Sequence, residues 1–234
     1  MRQKGPDTPL RLIISTLTRL LGQPLKRLYF KTIEQAGPHK REILVTRVEL
    51  ARDSLEEAKL QFQTALEKFS ALTAYEGGSL ESLYRDLKIE YDYSRSRALL
   101  VEDRIAAIES VAKALFREWE DELGEYSNRA LRSSSRQKLK ITQQHYQHLI
   151  SAMRRAEAKI DPVLRVFNDQ VLYLKHNLNA HAIASLEHEL TTMSLGVSGL
   201  IGAMEQSISR ANQFVESLNG QNLRALPGPN PRLR

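Results

Sequence analysis

Between Ala98 and Tyr126, the residues Ala98, Val101, Ile105, Ile108, Ala112, Leu115 and Trp119 recur at alternating steps of three and four. That spacing holds a narrow apolar stripe on one side of a helix and turns it toward a partner helix. A chain with such a run folds as helices laid lengthwise against one another. The stretch carries the only tryptophan, and Trp119 is expected in the core. The expectation is that the remaining helices are organised around this one.

Three further seams support that reading. Leu44, Val48, Ala51, Leu55, Ala58, Phe62, Ala65, Phe69 and Leu72 repeat without a mismatch. Leu139, Thr142, Tyr146, Leu149, Met153, Ala156, Ile160, Val163 and Phe167 form a third, continued by Val171 and Leu174. Leu186, Leu190, Met193, Val197, Leu200, Met204, Ser207, Ala211, Phe214 and Leu218 form a fourth. Glu76-Gly77-Gly78-Ser79 is a turn with Ser79 as the next N-cap, and so short a connection sends the second helix back antiparallel. That helix is read as Leu80 to about Tyr126, with a stutter at Leu83, Leu87 and Tyr91.

Asn128 to Ser135 reads as a polar hairpin tip with a cap among Ser133, Ser134 and Ser135. Pro162 predicts a kink, because proline removes a backbone donor. The run His176 to His181 is a bend or a hairpin, Asn219-Gly220 ends the last helix, and Gly196, Gly199 and Gly202 offer a close approach to a neighbour. The predicted fold class is all-α: an elongated antiparallel helical bundle, or coiled coil, of about four long helices, short-long-long-short. The predicted organisation is a basic amphipathic segment at 1–37, a helical bundle at 38–218 and a flexible basic Pro-rich tail at 219–234.

Charge is divided unevenly along the chain. The net +6 is made of +7 in residues 1–41 and +3 in residues 219–234, against −4 between them. A nucleic-acid binder spreads positive charge over a folded face, so nucleic acid is disfavoured as a partner. Basic ends suit an anionic membrane surface or an acidic protein. With no cysteine in the chain, disulfides, thiolate metal sites and thiol nucleophiles are excluded.

Leu10 to Leu21 places Ile13, Ile14 and Leu17 in one apolar arc interrupted by Arg11 and Arg19. Lys26, Arg27 and Lys31 extend the basic character, and no acid stands between Asp7 and Glu34. The apolar run is too short to span a bilayer, and its arginines do not suit a cleavable signal peptide. A segment of this kind lies in a membrane interface or packs on the bundle.

The run His39 to Val45, Arg47-Val48 and Ala51 to Ser54 resembles the opening of an uncharacterised bacterial helical family described only as a domain of unknown function. Ala114 to Leu123, Tyr126-Ser127-Asn128, Ala152 to Lys159, Asp161-Pro162 and Gln170 to Ala180 are similar to later blocks of that family. The resemblance covers roughly His39 to Leu218. It implies a helical fold, with no assigned activity, catalytic residues or cofactor. Many members look like lipoproteins, whose lipid-bearing cysteine precedes the stretch that here reads Leu28-Tyr29-Phe30. This chain has Leu21-Gly22-Gln23 there, so lipidation at a cysteine is excluded, and the basic segment stands where the lipid would.

Few residues offer chemistry. No His has Glu three positions before it in the pattern of di-iron bundles. His145 and His148 share a face, but no third ligand is evident. His176, Asn177, Asn179 and His181 are a polar group near a seam, read as capping a bend, with a metal-dependent activity as the sharper alternative. Glu118, Glu120, Asp121 and Glu122 form an acidic rim around Trp119, read as a solvated helix face or a contact for a basic partner. The leading expectation is a non-enzymatic structural or scaffold protein of the bacterial envelope or membrane surface, without cofactor. The second is a soluble helical adaptor that grips an acidic protein or nucleic acid through its basic ends. The seams can close within one chain or between copies.

Overall fold

The computed structural model describes residues 37–73, 79–177 and 180–223. Arg11, Ile13, Ile14, Leu17, Arg19, Lys26, Arg27 and Lys31 lie outside the described residues, as do Asn179, the side chain of His181 and the Pro-rich tail. Among the described residues four helices follow one another: α1 (Gly37–Thr73), α2 (Leu80–Glu122), α3 (Arg129–His176) and α4 (Ala180–Leu223). Among the described residues there is no strand. Contacts divide the chain into Met1–Glu42 and Ile43–Arg234, and the packing described here is that of the second unit.

The seam of α1 is buried from Leu44 through Phe69 without an exception. Alternating Ala with Leu and Phe sets large side chains beside small ones, which fills the space between helices without strain. Lys68 reaches Glu90, while Glu57 reaches Arg97. Rising numbers on α1 meet falling numbers on α2, so the two are antiparallel. Ser79 caps α2 as expected, its hydroxyl accepting the Ser82 N–H at 3.3 Å.

Two aromatic clusters tie the bundle together across its layers. Phe167 of α3 meets Tyr91 of α2 edge-on at 5.8 Å and Phe69 of α1 at 6.5 Å. Tyr146 of α3 meets Phe116 of α2 at 5.3 Å and Phe214 of α4 at 6.5 Å. Ring pairs of this geometry contribute about 0.5–1.5 kcal/mol each beyond the area they bury. Both clusters are centred on α3, and α2 and α4 each pack along it. The organising helix is therefore α3, not the Ala98–Tyr126 stretch of α2 that the sequence pattern singles out.

The structure departs from expectation at three places. The second turn falls at residues 123–128, and Ser133, Ser134 and Ser135 lie inside α3. Asn128 is the cap, its Oδ1 accepting from the N–H groups of Ala130 and Leu131 at 2.9 and 3.2 Å. Asparagine caps as well as serine does, and Arg132 fastens the turn by donating to the carbonyls of Gly124 and Tyr126. Next, α4 continues through Asn219-Gly220 to Leu223 and is a long helix of 44 residues. One helical glycine costs about 1 kcal/mol, too little to stop a helix. Trp119, finally, is half-buried at the edge of the core, which is filled at that level by Leu115, Phe116 and Leu123.

α3 runs unbroken through Pro162, with Ile160, Val163 and Phe167 buried on either side of it. The link between α3 and α4 is a hairpin connection. Tyr146 pairs with Phe214, and Val163 lies 3.4 Å from where a Cβ on Gly196 would stand, which fixes an antiparallel register. Of the three glycines singled out in α4, Gly196 comes nearest a neighbouring helix, and only at ordinary van der Waals distance. Gly199 has only Lys159 Nζ nearby at 3.7 Å, and Gly202 has nothing within 4 Å.

Candidate functional site

The seams leave a groove open along the outer side of the α2–α3 pair. It encloses about 920 Å³. Tyr91, Ala98, Leu99, Ile160 and Leu164 supply its apolar surface, and Arg95, Glu102, Arg154, Glu157, Asp161 and Arg165 its charges. The pattern follows from helical geometry. Residues flanking a heptad seam border the partner helix, where long side chains of both signs pair across the interface.

Arg154 is the best-fixed member of this group. Its Nε donates to Glu109 Oε1 at 3.0 Å, and its Nη2 also bonds to Glu109. Its Nη1 donates to both oxygens of Glu157, at 2.8 and 2.6 Å. The bonds to Glu109, then those to Glu157, hold the guanidinium even more firmly protonated than usual against the desolvation that opposes them. Arg154 is thus an inter-helix staple. By contrast, the side chains of Arg95, Glu102, Asp161 and Arg165 make no hydrogen bond or ion pair among the described residues.

A second polar cluster sits between α1 and α2. Glu90 is buried, accepts from Gln61 Nε2 at 2.7 Å and is bonded to Lys68. The hydrogen bond to Glu90 leads the causes that raise the lysine ammonium above its usual value. One turn along, the Ser94 hydroxyl is fully buried and has no hydrogen-bond partner. The seam pattern passed over Glu90. The signal that marks it is the stutter at Leu83, Leu87 and Tyr91, because a four-residue step rotates the stripe and brings the neighbouring position inward. A buried carboxylate with two partners from one helix fixes the register of α1 on α2.

The acidic rim does not converge. Trp119 Nε1 donates to Ser135 Oγ at 2.9 Å, and Gln143 Nε2 donates to Glu120 Oε1 at 3.0 Å, so this end of α2 is tied to the start of α3. Glu120, Asp121 and Glu122 are exposed, and Glu118 is half-buried. His145 and His148 face solvent. At the other end of α3, His176 is exposed and Asn177 caps the helix, its Nδ2 donating to the Tyr173 carbonyl at 3.0 Å. Among the described residues no group of three His, Asp or Glu side chains is placed to hold a metal ion. No described helix is long and apolar enough to cross a membrane.

Residues 29–218 match the family described as "Protein of unknown function (DUF2959)". No curated protein matches the chain.

Proposed function

We propose a role for this chain from the premise that it belongs to the family of proteins of unknown function (DUF2959): it is a non-catalytic helical scaffold that works at an anionic membrane surface. The observation that carries this reading is the separation of charge from core. The acid-free stretch between Asp7 and Glu34 holds Arg11, Arg19, Lys26, Arg27 and Lys31 beside an apolar arc, while the bundle between the ends is mildly acidic. A cationic amphipathic segment partitions into the headgroup region by burying its apolar arc and pairing its charges with anionic lipid. Each Lys or Arg near such a surface contributes about 1 kcal/mol.

The bundle supports the scaffold half of the proposal. Its apolar stripes are spent on one another, and the best-connected polar side chains, Arg154 and Glu90, act as staples between helices. The test is co-sedimentation of the full chain with vesicles of phosphatidylglycerol and phosphatidylethanolamine. The wild type pellets with the vesicles and is released by salt. A variant with Arg11, Arg19, Lys26, Arg27 and Lys31 all changed to Gln binds on the order of a thousandfold more weakly. A wild type that stays in the supernatant refutes the membrane role and leaves the soluble adaptor.

A further inference from the structure

Polar side chains line the α1–α2 interface at heptad intervals. On α1 the column is Arg47, Ser54, Gln61 and Lys68; on α2 it is Glu90, Arg97 and Arg104. Heptad spacing keeps each column on one side of its helix, beside the partner. Glu90 lies between Gln61 and Lys68 and is bonded to both. One heptad on, Arg97 is paired with Glu57. Another heptad, taken in opposite directions on the two helices, brings Arg104 level with Leu50 and between Arg47 and Ser54. Where Arg97 meets a carboxylate, Arg104 meets a leucine.

The consequence is visible at Arg104. Its Nε is buried and has no hydrogen-bond partner, although buried donors are nearly always satisfied. Arg47 and Arg104 are both half-buried, and among the described residues neither side chain makes a hydrogen bond or ion pair. Nearby acids do not supply the missing charge. Glu57 is held by Arg97 and Asp53 by Arg52, while Glu49 and Asp103 bond to neither free arginine. The Ser54 hydroxyl donates to the Leu50 carbonyl at 2.9 Å. This level of the interface therefore gathers two guanidinium groups, about 5 Å apart along the helix axis, and no anion.

We propose that Arg47 and Arg104 form a binding site for a phosphate group in the α1–α2 interface at the level of Leu50. One bidentate guanidinium fills a carboxylate, whereas the oxygens of a phosphate serve two guanidinium groups at once. A bound phosphate gives the Arg104 Nε the acceptor it lacks. Leu50 is 36% exposed, so the site opens to solvent beside an apolar side chain, which suits the carbon side of a phosphate ester. A lipid headgroup and a soluble phosphate share this chemistry. The site stands apart from the membrane reading, since its residues belong to the bundle.

The probe is inorganic phosphate, titrated into the full chain against chloride at equal ionic strength. In heteronuclear NMR the Nε–H signal of Arg104 moves with phosphate and not with chloride, and phosphate raises the thermal midpoint. Arg47→Gln and Arg104→Gln each weaken binding about tenfold or more. Arg155→Gln, which removes the same charge from an exposed position on α3, leaves binding unchanged. Leu50→Glu supplies the carboxylate that the register implies: it raises the midpoint without phosphate and abolishes the response to phosphate, a reading that stands even where a glutamine variant folds poorly. Vesicles containing phosphatidic acid separate the two sources. Weaker co-sedimentation of Arg104→Gln, with residues 10–31 intact, identifies a lipid headgroup; unchanged co-sedimentation with phosphate binding lost identifies a soluble phosphate. No response to phosphate, a response that chloride reproduces, equal weakening in Arg155→Gln, or a response that persists in Leu50→Glu overturns the proposal.

Discussion

Tyr146 is held edge-on between Phe116 and Phe214, and burial first, then the nearby Glu109, pushes its phenol up to about 12. In the unfolded chain the same group titrates near 10. The folded state thus keeps a proton that the unfolded state releases, and stability falls as the pH rises from about 10 toward 12. The loss through this group amounts to about 2–3 kcal/mol across that window. Urea denaturation at pH 8 and pH 11 checks it: Tyr146→Phe loses less stability between the two than the wild type, and an identical loss in both would count against the assignment. Ser94 makes the opposite case. Its hydroxyl is buried without a partner, so Ser94→Ala is expected to raise stability by about 1 kcal/mol at any pH. Ser94 stands three residues after Tyr91 in the seam spacing, but spacing does not tell that its hydroxyl is stranded, because solvation at one residue depends on what the neighbouring helices place around it. Glu90 was hidden for a related reason. A glutamate flanking a stripe reads as solvated until the local rotation of the helix is known.

At the scale of the helices, the seams were legible because a heptad pattern records burial directly, and every α1 seam position from Leu44 to Phe69 is buried as expected. What spacing cannot rank is centrality. The α2 seam from Ala98 to Trp119 alternates without a break, yet α3 touches three neighbours through Phe167 and Tyr146. Helix ends were the other gap: Asn128 and Ser133 to Ser135 are all competent caps, and the turn contacts of Arg132 decide among them. Pro162 belongs to this scale too. It lies inside a helix that continues past it, where it removes one backbone donor and costs up to about 3 kcal/mol relative to alanine. Pro162→Ala is therefore expected to stabilise the bundle markedly in thermal unfolding followed by circular dichroism. An unchanged or lower midpoint would mean that the proline is accommodated without cost.

For the whole molecule, the picture is a bundle whose seams are buried against one another, with the net positive charge carried by the two ends of the sequence. The candidate groove was the least legible part, since Arg95, Glu102, Asp161 and Arg165 are ordinary seam-flanking charges in one dimension. Only the packing of two antiparallel helices brings them into one groove. The basic segment shows the reverse, being evident from sequence as a run without acids. The measurement that bears most directly on the proposed role is hydrogen exchange of the full chain, read by mass spectrometry with and without anionic vesicles. Vesicles are expected to slow exchange in residues 10–31 and to leave α3 unchanged. Slowed exchange along α2 and α3, with residues 10–31 unaffected, would contradict it.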